Sequence, residues 1–168
     1  MNRTLSITLV LLFTTTTSPS PSTAAQVEEL QVRVVDVGAG LCTVTSAPSG
    51  TGRWYMVYDA GSSVWQSQEC FNAVEAFVDG NVIDLLIVSH PDTDHLSNAD
   101  DLLANFQVRQ IIRTGHERPD IVNWVNFDEA VEAEIQDGAT VLNLRDRALI
   151  PGTQVLFGDA TVTLVAGW

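Results

Sequence analysis

Apolar and polar positions first alternate along the chain and then change period. From Leu30 to Asp36, Val32 and Val34 alternate with Gln31 and Arg33, the two-residue period of a half-buried strand. Gly38-Ala39-Gly40 makes a turn, and Leu41 to Ser46 resumes the strand pattern. Pro48 to Gly52 reads as a loop, and Trp54 to Tyr58 as a third strand running into Asp59-Ala60-Gly61. These three segments predict a β-meander. Phe71, Val74, Phe77 and Val78 are then spaced as one face of a helix over Glu69 to Val78, stopped by Asp79-Gly80. Ile83 to Val88 is nearly continuous apolar chain, as in a strand buried on both faces. A helix over Leu96 to Phe106 and a strand over Val108 to Ile112 complete a βαβ crossover. Further on, the pattern predicts a helix over Phe127 to Gln136, a short strand over Thr140 to Leu144, and a hairpin of Gln154–Phe157 and Thr161–Val165 turning at Gly158-Asp159. Meander plus crossover implies a layered α/β fold.

The segment between the buried strand and its helix carries the most chemistry: Ser89-His90-Pro91-Asp92-Thr93-Asp94-His95. Imidazole and carboxylate are the ligand set of zinc and related divalent ions. Ligands of α/β proteins gather beyond the carboxyl ends of strands. In an extended loop, alternation would turn His90, Asp92 and Asp94 toward one cavity and His95 to the other side of Asp94. A plain helix-capping turn would account for an aspartate or two, with Asp94 as the cap. It leaves the two histidines unexplained, so a metal site is the favoured reading. Gly38-x-Gly40 after a strand invites a dinucleotide-binding interpretation. The third glycine is missing and a strand follows where a helix is required, so that reading is rejected.

The His-x-Asp-x-Asp-His pattern resembles the signature loop of the metallo-β-lactamase superfamily. The fuller Ser-His-Pro-Asp-x-Asp-His resembles the hydrolase domain of the ComEC/Rec2 competence proteins and their soluble relatives. Val35-Asp36-Val37-Gly38-Ala39-Gly40 is similar to the family's opening Asp-Val-Gly-x-Gly, and Tyr58-Asp59-Ala60-Gly61 to its Asp-x-Gly turn. The resemblance covers about Val32 to Val108. It implies an αββα sandwich of which this chain carries the N-terminal half, in a domain over residues 26–168 that is C-terminally truncated. It also implies a site of two divalent ions, zinc first, with manganese or iron as alternatives. His90 and Asp92 would hold one ion, Asp94 and His95 the other, with Asp94 also catalytic and Asp59 orienting a ligand from behind. A water between the ions, with its pKa lowered to about 7, would attack a phosphoester, ester or lactam. His116 is a candidate additional ligand, although its polar setting, Thr-Gly-His-Glu-Arg-Pro, favours an exposed turn. The chain departs from the family in carrying Ser97-Asn98 where Gly-Gly is usual.

Composition narrows the partners. With 21 acidic against 8 basic residues, the formal net charge is −13, which gives no strong nucleic-acid-binding signature. A small-molecule or phosphodiester substrate fits better than long DNA. Residues 1–25 read as a signal peptide: Arg3, an apolar run from Leu5 to Phe13, and small residues at Thr23-Ala24-Ala25. The protein is therefore expected to be exported, periplasmic or extracellular, with no membrane span in the mature chain. In that setting Cys42 and Cys70 are expected to pair, two buried thiols being the alternative. Besides a metal-dependent hydrolase, two other classes stay open: a non-catalytic metal-binding module, and an exported interaction domain whose acidic loop only caps a helix.

Overall fold

The computed structural model describes residues 29–50, 52–145 and 151–165, so the signal peptide expected over residues 1–25 lies outside the described residues. A six-stranded sheet organises the chain. Its first three strands, β1 (Gln31–Val34), β2 (Cys42–Ser49) and β3 (Gly52–Ala60), form the antiparallel meander. β5 (Leu85–Val88), β7 (Gln110–Arg113) and β8 (Thr140–Asn143) then add in parallel, giving the order β1-β2-β3-β5-β7-β8. The interposed β4 (Val82–Ile83) and β6 (Gln107–Val108) make a separate two-stranded parallel pair. β9 (Gln154–Phe157) and β10 (Ala160–Thr163) form the hairpin expected around Gly158-Asp159.

Side-chain alternation sorts the sheet into two apolar faces. Val44, Val57, Leu86, Ile111 and Val141 lie in register across five strands. They pack under α1 (Glu69–Phe77), α3 (Ala99–Asn105) and α4 (Val122–Gln136), whose Val74, Leu102, Phe127 and Val131 are buried. Full burial of side chains of this size is worth about 1.5–3 kcal/mol each. On the other face, Leu85, Ile87 and Ile112 form a second cluster with Met56, Leu142, Val155 and Val162, and the hairpin supplies the last two. The layered α/β expectation is thus met.

Three elements expected as continuous are interrupted, and each break coincides with a tertiary contact. The strand over Ile83–Val88 splits at Asp84, and that over Val108–Ile112 splits at Arg109. These two side chains are an ion pair, Nη1 to Oδ1 at 2.5 Å, and the buried Asp84 carboxylate also accepts the Tyr55 N–H at 2.8 Å. The helix over Leu96–Phe106 is really a single turn, α2 (Thr93–Leu96), followed by α3. At the junction Asn98 turns its backbone N–H to the Ala60 carbonyl, 2.7 Å, and its side-chain amide to the Ser67 carbonyl, 2.8 Å. Pro48, expected in a loop, ends inside β2, paired with Arg53.

Cys42 and Cys70 are disulfide-bonded, tying the start of β2 to the first turn of α1. The bond is in keeping with an oxidising compartment. Among the described residues no helix is long and apolar enough to cross a membrane.

Candidate metal centre

The histidine-aspartate segment leaves the carboxyl end of β5, whose four residues are all buried. Pro91 and an extended Asp92 (φ −86°, ψ 146°) carry the chain away from the sheet. It then curls into α2, where the His95 N–H donates to the Asp92 carbonyl at 2.9 Å and the buried Leu96 anchors the turn. Helical curvature therefore begins at Thr93, and the uniform alternation expected of an extended loop does not hold. His90, Asp94 and His95 come together, with ligand atoms all within 4.8 Å of one another. Asp92 stands at the rim. Its Oδ2 is 3.6 Å from His90 Nε2, while its Oδ1 accepts from Arg118 Nη1 at 2.9 Å. His116 is exposed and outside the three-residue group. Neither α2 nor α3 has a side-chain capping bond at its N-terminus, so capping does not explain these carboxylates.

Two glycines let the meander press against this loop. A Cβ at Gly40 or at Gly61 would lie 2.5 Å from the Asp94 carbonyl oxygen. Gly40 also has φ +138°, a conformation that side chains rarely adopt. The same Asp94 carbonyl accepts the Leu41 N–H at 3.1 Å. Ser97-Asn98, in the place of the usual Gly-Gly, stitch the far side: Ser97 Oγ accepts the Ser62 N–H at 2.9 Å.

Asp59 is fully buried beneath the loop, set there by a β-bulge. Cys42 pairs with Ala60 and Thr43 with Tyr58, so Asp59 has no partner across the ladder and takes φ +54°. A bulge of this kind re-aims a side chain out of the regular alternation. The Asp59 carboxylate accepts the Ser89 N–H on Oδ1 at 2.7 Å, and the Ser89 hydroxyl on Oδ2 at 2.6 Å. His95 Nδ1 is 2.7 Å from the same Oδ2. Asp59 is thus in contact with the His95 ring from beneath the loop.

Three residues of the site were not singled out from sequence. Ser89 links Asp59 to His90, its Oγ 2.9 Å from His90 Nδ1. Arg118 bridges Asp92 and Asp120, and its hydrogen bonds hold the Asp120 carboxyl below the usual carboxylate range. Tyr58 lies beside Ser89; burial raises its phenol pKa and the Asp59 charge raises it further, against the Ser89 hydrogen bond. Nothing local in the sequence connects Arg118 with Asp92, which is 26 positions away. Ser89 was legible only as part of a motif.

A cavity of about 370 Å³ adjoins the loop between the sheet and the hairpin. Met56, Ile87, Ile112, Leu144 and Val162 make its lining largely apolar, with Ser89 and Tyr58 at the side of the metal loop.

Two imidazoles and one carboxylate whose ligand atoms lie within 4.8 Å of one another suit a divalent ion of the zinc type. The family model described as the metallo-beta-lactamase superfamily matches residues 39–165. The chain belongs to the metallo-β-lactamase superfamily. No curated protein gives a significant match.

Proposed function

We propose that this protein is an exported metal-dependent hydrolase acting on a small phosphoester, ester or lactam. The observation that carries the reading is the convergence of His90, Asp94 and His95 within 4.8 Å, in a chain of this superfamily. These three residues would hold a first divalent ion, zinc before manganese or iron. Asp92 is the donor for a second ion, which would compete with Arg118 for its carboxylate. A divalent ion held by these residues would supply Lewis acidity and would make water at the site easier to deprotonate. Asp94 is the catalytic carboxylate, placed to hold a proton during turnover. Asp59 fixes the His95 ring.

The Asp at position 92, as in the competence-type hydrolases that the motif resembles, keeps phosphodiesters among the substrates. The net charge of −13 disfavours long polyanions, and the apolar cavity beside Ser89 suits an organic substituent.

The test is to prepare the secreted protein metal-free and titrate it with zinc, manganese and iron. Each form is then assayed on chromogenic phosphodiester, carboxylic ester and lactam probes. Turnover of one probe class that disappears with chelator and returns with metal is expected. Stoichiometric metal with no turnover on any probe would establish the non-catalytic metal-binding module. No metal uptake at all would remove both readings and leave an interaction domain.

A further inference from the structure

We propose that Ser89 is a positioning residue that, together with Asp59, sets the tautomer of both site histidines so that each presents Nε2 to the ion. This rests on the metal-site reading above. The argument is proton bookkeeping around one buried carboxylate. Asp59 has no exposed surface and is ringed by donors: the Ser89 N–H at Oδ1, and both the Ser89 hydroxyl and His95 Nδ1 at Oδ2. A carboxylate so placed accepts. His95 therefore carries its proton on Nδ1. A serine hydroxyl has a single proton, and at 2.6 Å it is committed to Asp59. The lone pairs left on Ser89 Oγ face His90 Nδ1 at 2.9 Å, so that nitrogen must be the donor and His90 too is protonated on Nδ1.

Both Nε2 atoms are then turned to the site. His90 Nε2 is 3.6 Å from Asp92, and His95 Nε2 is 3.6 Å from Asp94. The two rings lie against each other, with centroids 3.8 Å apart. One buried aspartate thus orients one histidine directly and the other through a serine hydroxyl. His90 has no direct bond to Asp59, so only Ser89 transmits that order to it.

The test reads tautomers by ¹⁵N NMR of the imidazoles in metal-free protein at mildly alkaline pH, and zinc affinity by chelator competition. In the wild-type chain both His90 and His95 should be in the Nδ1–H form. Ser89→Ala should release His90 into a mixture while His95 keeps its form, and zinc affinity should fall about 10–100-fold. Ser89→Thr, which keeps the hydroxyl, should restore both. His90 found with its proton on Nε2 in the wild type overturns the proposal, as does an S89A chain that binds zinc at full affinity. Should S89A fail to fold, the wild-type and S89T spectra decide alone. A wild-type chain that shows the expected tautomers yet takes up no zinc, manganese or iron supports the Ser89 assignment and removes the hydrolase reading.

Discussion

Asp59 and Asp84 are buried at opposite ends of the same pair of parallel strands, and each ties β3 to β5 in a reciprocal way. Asp59, on β3, accepts the N–H of Ser89 just beyond β5; Asp84, just before β5, accepts the N–H of Tyr55 on β3. Their second oxygens differ. Asp84 meets the Arg109 guanidinium, which cancels its charge and has no further task. Asp59 meets a serine hydroxyl and an imidazole, and each of these passes the contact on to a group that faces the loop. Arginine only donates and never gives up its proton, so the Asp84 pair is a closed structural clasp. Serine and histidine both donate and accept, so the Asp59 cluster can order further groups. The same backbone device therefore serves as a staple at one end of the sheet and as the foundation of a site at the other.

Substitutions can break this contrast, beginning with the largest effect. Asp94→Ala removes a ligand itself; zinc affinity should fall roughly a thousand-fold, with hydrolysis following it, on the scale of several kcal/mol per ligand. Thermal unfolding of the metal-free variant should change by no more than about 0.5 kcal/mol, because Asp94 is a partly exposed side chain. A large loss of metal-free stability would show that Asp94 is structural. Asp59→Ala should act on both quantities. It leaves a backbone N–H, a hydroxyl and an imidazole without their acceptor, which should cost about 3 kcal/mol by urea unfolding and lower zinc affinity about 10–100-fold.

Asp84→Ala should cost about 2 kcal/mol, mostly through the stranded Tyr55 N–H, since Arg109 can turn to water. Zinc affinity should not change; a variant that loses metal as D59A does would erase the distinction between the two ends.

The smallest effect sharpens the comparison with a carboxylate that sits on a helix and ties no strands together. Asp100, in the first turn of α3, has its pKa raised by burial and then by its neighbour Asp101. The native state therefore holds this proton more tightly than the unfolded chain does. The group's contribution to stability is greatest below the ordinary aspartate pKa, and it is lost as pH rises through that value toward the raised one. Asp100→Asn should flatten that part of the urea-midpoint profile against pH. An unchanged slope would mean that other carboxylates set it.

Much of this was decided by the sequence alone. The two-residue period gave the meander, the continuous apolar run gave the buried strand, and two histidines with alternating aspartates marked the candidate metal loop. All of these are signals confined to a few consecutive residues, where backbone geometry fixes which side chains share a face. The tertiary structure decided what depends on residues far apart in the chain. It broke two strands at Asp84 and Arg109, because a charge pair must form between strands 25 positions apart. It divided the expected ligand set, because Arg118 reaches Asp92 across 26 positions while the helical turn brings Asp94 and His95 up to His90. It also turned Asp59 under the loop, because a bulge displaces it from the ladder and buries a carboxylate that Ser89 and His95 satisfy. A buried polar group must find its partner wherever the fold supplies one, and no local pattern records where that will be.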